Sequence, residues 1–109
     1  MRLEKLNLGE VVVLKIYGNV GFEDVYTLRT ALHRLVVQKK NRLLIDCKEM
    51  DGLDSSALAA FLSTYKRVKG GSIAFTNLCP HVDRVFRETH LDDFFRIYPS
   101  VEEAMASMS

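Results

Sequence analysis

Hydrophobic and polar residues follow several distinct rhythms along the chain. Leu3, Leu6 and Leu8 precede Gly9-Glu10, and the run Val11-Val12-Val13-Leu14-Lys15-Ile16-Tyr17 is rich in β-branched residues. This predicts a strand, a tight turn and a second strand. Gly18-Asn19-Val20-Gly21 is expected to break the second strand. From Phe22 to Lys40 the apolar Val25, Leu28, Leu32, Leu35 and Val36 recur at spacings of three and four, the period of an amphipathic helix. Lys39 and Lys40 suit its C-terminal end, where cations oppose the helix dipole.

Leu43-Leu44-Ile45-Asp46-Cys47 is too short for a helix and apolar on both faces, as a central strand would be. A second helix is expected from about Ser55 to Lys69, burying a stripe of Leu58, Phe61, Leu62, Tyr65 and Val68 and stopping at Gly70-Gly71. Ser72-Ile73-Ala74-Phe75-Thr76 reads as a further strand. Pro80 suits the first position of a short third helix marked by Val82, Val85 and Phe86. Phe94 to Tyr98 reads as a last strand, and Ser100-Val101-Glu102-Glu103 carries the S-x-x-E signature of a C-terminal helix. Strands alternating with helices imply parallel pairing through crossovers, and the opening hairpin adds an antiparallel edge. The expected fold is α/β: one domain over residues 1–109, with a mixed sheet of about five strands and about four helices.

Composition narrows the function classes. Hydrophobic residues make up 48% and charged residues 27%, a globular balance. With 15 Lys+Arg against 14 Asp+Glu the formal net charge is +1, so the basic footprint of a DNA- or RNA-binding surface is missing. No segment is long and apolar enough for membrane insertion, and the first residues lack the apolar core of a signal peptide, so the expected location is cytoplasmic. Cys47 and Cys79 have no CxxC spacing and read as reduced, buried thiols.

The chemistry concentrates at Asp54-Ser55-Ser56-Ala57, where an apolar strand and an acidic turn lead into a helix. A serine nucleophile requires a base in hydrogen-bond reach, and its strand-to-helix elbow commonly reads G-x-S-x-G. The glycines are absent, and His33, His81 and His90 belong to no catalytic motif. Neither G-x-x-x-x-G-K-[ST] nor G-x-G-x-x-G occurs. Cys79-Pro80-His81 and the pair Asp51 and Asp54 fall short of a metal site. An enzyme, a metal site and a cofactor are therefore not expected. Asp54 is a good N-cap, which puts Ser55 and Ser56 in the first turn. They act there as plain capping residues or as a modification site, because a helix N-terminus accommodates negative charge. Advancing about 100° per residue places Ser56, Ala59, Ala60, Ser63 and Arg67 together, opposite the expected core stripe. Such small residues allow a partner surface to approach closely.

The stretch from Leu43 to Met105 resembles the STAS domain, and within it the bacterial anti-sigma factor antagonists. The matching features are the strand ending in Asp46, the Asp54-Ser55-Ser56 motif, the helix ending in Lys-Gly-Gly, the segment from Pro80 to Phe86, and Leu91-x-x-Phe94 before the last strand. The likeness extends over the hairpin and Gly18. It implies phosphorylation-controlled partner switching: the unmodified protein binds an anti-sigma factor that is also a serine kinase, and a phosphatase reverses the modification. The phosphoacceptor of the family maps onto Ser55, with Ser56 as the alternative and Asp54 as acidic neighbour. The contact surface would comprise Ser56, Ala57, Ala59, Ala60 and Ser63, with Gly21, Glu23 and Asp24 from the facing loop. Two positions depart from the family. Gly21 stands where an acidic residue is common, with Glu23 and Asp24 close by, and Ala57 replaces glycine, which adds a methyl group beside the site. An alternative reading is an unswitched STAS scaffold subunit of a lipid-transport or signalling complex.

Overall fold

A computed structural model describes residues 1–68 and 72–108. Six strands, β1 (Arg2–Leu8), β2 (Val11–Val20), β3 (Arg42–Asp46), β4 (Met50–Leu53), β5 (Ser72–Thr76) and β6 (Arg96–Tyr98), combine with four helices, α1 (Val25–Val37), α2 (Ser55–Arg67), α3 (Pro80–Glu88) and α4 (Val101–Met108). The sheet order is β1-β2-β3-β5-β6, with β4 also paired to β2. Among the described residues only the β1–β2 pair is antiparallel. The mixed sheet with four helices agrees with the sequence pattern.

The pleat of β2 explains why both faces of the sheet are covered. Val12, Leu14 and Ile16 join Leu43, Ile45, Ile73 and Phe75 in the larger core, under α1, α2 and α3. Val11 and Val13 point the other way with Leu44 and Ala74, against Ala104 and Met108 of α4. The larger core is organised around Phe75, whose ring meets those of Phe61, Phe86 and Phe95 at centroid distances of 5.0, 4.9 and 5.1 Å. All three contacts are edge-on, the arrangement favoured by the aromatic quadrupole.

Several boundaries differ from expectation, each for a local reason. β2 runs through Gly18-Asn19-Val20 instead of breaking there. Gly18 takes a φ of +83°, and there the register with β4 slips: Gly18 faces Met50 and Asn19 faces Gly52, so Asp51 is the extra residue of a bulge on the partner strand. From Gly18 onward β2 pairs with β4, whose Asp51-Gly52 reads as turn chemistry and is held in a strand by the pairs Gly18–Met50, Asn19–Gly52 and Val20–Leu53 around it. α1 begins at Val25, after a 3₁₀ turn over Phe22–Asp24, and ends at Val37 instead of Lys40. There the Lys40 N–H reaches the Leu35 carbonyl and the Lys39 N–H that of Val36, a Schellman closure with Lys39 left-handed at φ +60°. β6 likewise starts at Arg96, because a 3₁₀ turn occupies Leu91–Asp93. The stop expected at Gly70-Gly71, and Lys69 before it, lie outside the described residues.

The largest correction concerns α2. Its buried residues are Ala57, Ala60, Phe61 and Thr64, whereas Leu58, Leu62 and Val68 are half-buried and Tyr65 is 37% exposed. The helix is therefore turned by roughly a quarter of a revolution from the face its largest side chains suggested. Small residues make the closest approach, towards the sheet and α1, and the leucines fill the margin of the same core. Tyr65 lies edge-on against Phe94 and Phe95 at 5.9 and 5.7 Å.

Candidate functional site

Parallel β2 and β4 deliver two loops side by side. Val20 pairs with Leu53, and the Asp54 N–H donates to the Val20 carbonyl at 3.2 Å. Gly21 to Asp24 consequently lie beside the first turn of α2.

Asp54 is extended and its Oδ1 accepts the Ala57 N–H at 3.1 Å, an N-cap that satisfies one of the free donors of the first turn. The same oxygen accepts the Ser56 hydroxyl at 2.7 Å. The Ser56 hydroxyl, followed by the Ala57 N–H, holds the Asp54 carboxyl below the ordinary carboxylate range. The two serines thus differ. Ser56 is half-buried and tied to Asp54, whereas Ser55 is exposed and its hydroxyl has no partner among the described residues.

Across from them, the Gly21 N–H donates to Asp24 Oδ2 at 3.1 Å. A β-carbon built on Gly21 would lie 3.1 Å from both carboxylate oxygens of Glu23. Glu23 therefore brings its carboxylate to the place where a side chain at position 21 would begin, and an acidic group is present despite the glycine.

The small-residue stripe divides. Ala59 is exposed, Ser56 and Ser63 are half-buried, and Ala60 is only 3% exposed, inside the core. Ala57 is fully buried, so its methyl group adds to the packing beneath the site and leaves the surface unchanged. Ala57 and Ala60 therefore drop out of the contact surface; both serve the internal packing of α2. Ser63 and Arg67 turn towards α1 and line a groove of about 770 Å³ with Phe22, Tyr26, Arg29 and His33. Sequence reasoning missed this groove. Its available signal was Tyr26, which falls outside the Val25-Leu28-Leu32 stripe and is 82% exposed.

The other candidates take structural places. Cys47 is buried, and burial raises its thiol well above the ordinary range. Cys79 is half-buried at the N-cap of α3, and both cysteines are free. His81 is exposed, and His90 is exposed and left-handed before a 3₁₀ turn. Asp46 accepts the Lys48 N–H at 3.1 Å and the Asn77 amide at 3.0 Å, joining the end of β3 to the loop after β5. Among the described residues no group of three His, Cys, Asp or Glu could hold a metal ion, and no helix is long and apolar enough to cross a membrane.

Residues 2–104 match the STAS domain family. The chain is 33% identical over 88 residues to the anti-sigma-B factor antagonist of Bacillus subtilis, a match covering 79% of this chain and 80% of that one. An anti-sigma factor antagonist from Mycobacterium paratuberculosis superposes with a TM-score of 0.91 at 22% identity, over 98% of this chain and 92% of the other. The phosphorylated form of the Bacillus cell fate determinant SpoIIAA has the same fold at a TM-score of 0.78 and 18% identity, over 99% of this chain and 100% of the other. Matched over nearly its whole length, with its hairpin, long second strand and Asp54-capped helix in place, the chain belongs to the STAS domain family and is related to the anti-sigma factor antagonists.

Proposed function

We propose that this protein is an anti-sigma factor antagonist, not an enzyme, whose binding to a kinase anti-sigma factor is switched off by phosphorylation of Ser55. The observation that carries this is the contrast between neighbouring hydroxyls: Ser55 is exposed and unbound among the described residues, while Ser56 donates to Asp54 at 2.7 Å. A kinase reaches the first without disturbing the cap. Phosphorylating the second would break the cap network and press a dianion onto a carboxylate.

At Ser55, an exposed position, a phosphate would gain from the helix dipole. It would add about −1.5 to −2 charges to a surface shared with Ser56, Ala59, Ser63, Glu23 and Asp24. That change is enough to repel a partner complementary to the neutral hydroxyl. A phosphatase would restore binding.

The test is to incubate the protein with its cognate kinase and ATP, locate the phosphate by mass spectrometry, and measure partner affinity of Ser55→Asp. Phosphate confined to Ser55, with binding weakened at least tenfold in the variant, is the expected result. Phosphate on another residue, or a Ser55→Asp protein that binds as well as wild type, overturns the switch. Recovery of a transporter subunit instead of a kinase on co-purification would favour the scaffold role.

A further inference from the structure

The groove between α1 and α2 shares Glu23 and Ser63 with the surface around Ser55, and two of its side chains carry charge without an internal match. Its apolar part comes from Phe22, Tyr26, Val25, Val36 and Ala60. Phe22 and Tyr26 are 79% and 82% exposed, an unusual position for two aromatic rings so close in a small domain. Arg29 enters from α1 and Arg67 from α2. Neither guanidinium has a carboxylate partner among the described residues. Arg67 is nonetheless fixed: its Nη1 donates to His33 Nδ1 at 2.9 Å, across the gap between the helices. Because arginine can only donate, His33 accepts, and the cation is held over the groove without being neutralised. The one carboxylate in the lining, Glu23, is folded against Gly21.

We infer that this groove binds a small organic anion with an aromatic or otherwise apolar body, its acid group held between Arg29 and Arg67 and its body against Phe22 and Tyr26. The volume of about 770 Å³ falls in the range of small-molecule sites, and apolar walls with a few convergent polar groups are their usual composition. Two guanidinium groups on facing helices suit a carboxylate or phosphate, which accepts from both in a fork.

Naphthylacetate and its uncharged carboxamide make a matched pair of probes, followed by two-dimensional amide NMR on the intact chain. The acid should produce saturable shifts at Tyr26, His33 and Ser63. Its affinity should fall about tenfold in Arg67→Gln, with a similar loss in Arg29→Gln and for the carboxamide on the native protein, the scale of one charge-assisted hydrogen bond. Both substitutions are on exposed side chains, and the native dispersion of the remaining amides would verify the fold. No saturable shift, equal binding of acid and amide, or shifts centred on Tyr65 and Phe94 would overturn the inference. So would saturation of the groove by an acidic amphipathic peptide when naphthylacetate has no effect, which would make it a protein-docking surface. The titration uses no kinase or anti-sigma factor, so its result stands apart from the phosphorylation test.

Discussion

Two parts of one helix, the inner side of α2 and its first turn, are built to opposite specifications. The inner side presents Ala57, Ala60, Phe61 and Thr64 to the sheet and α1, all buried, with the Thr64 hydroxyl returned to the Ala60 carbonyl at 3.0 Å. The first turn leaves Ser55 in solvent beside a single capping carboxylate. The difference separates stability from chemistry by only two residues: the domain is held by Ala57 and the residues behind it, and Ser55 is free to change.

The contrast is broken most severely from beneath. Phe75→Ala removes the ring shared by three edge-on contacts and should cost about 3–5 kcal/mol, measured by urea denaturation. Enlarging the inner side comes next. Ala60→Leu adds an isopropyl group at a position only 3% exposed and should cost about 1–3 kcal/mol. Ala59→Leu, one residue away on exposed surface, should leave the denaturation midpoint nearly unchanged.

Asp54→Ala should lower the denaturation midpoint measurably, by less than Ala60→Leu, because it frees the Ala57 N–H. Its carboxyl is held below the ordinary range when folded, so its contribution is present above the unfolded carboxylate pKa and is lost as the pH falls through the lower folded value. The stability difference between wild type and Asp54→Ala should therefore shrink in strongly acidic buffer, as paired denaturation curves would show. The smallest effect is expected at the surface: Ser55→Ala should shift stability by less than about 0.5 kcal/mol. Ser56→Ala should cost slightly more, since it removes the hydroxyl donated to Asp54.

Why the sequence foretold the cap and not the face of α2 follows from what each depends on. Asp54 caps through atoms within three residues of itself, so local chemistry determines it. The buried side depends on what lies opposite: leucines mark an apolar stripe, but the side that meets the sheet and α1 is Ala57, Ala60, Phe61 and Thr64, and the leucines are left at its margin. β4 stayed hidden for a related reason, because Asp51-Gly52 resembles a turn until β2 pairs with it. The end of α1 gave no glycine signal, since Lys39 adopts the left-handed position instead. The choice between Ser55 and Ser56 was beyond helical position alone. It rests on family likeness; what the structure adds is that the Ser56 hydroxyl is donated to Asp54, whereas that of Ser55 has no partner among the described residues.

The hydrogen bond from the Asp54 N–H to the Val20 carbonyl makes the start of α2 the last rung of the sheet. A phosphate added one residue later would sit on a backbone anchored on both sides, and would reach a partner through its electric field at nearly constant shape. Fields at a solvent-facing surface fade over a Debye length, about 8 Å at physiological ionic strength and about 3 Å in molar salt. The ratio of affinities between unmodified and modified protein should accordingly narrow as salt is raised, making ionic strength a dial on how sharply the two forms are told apart.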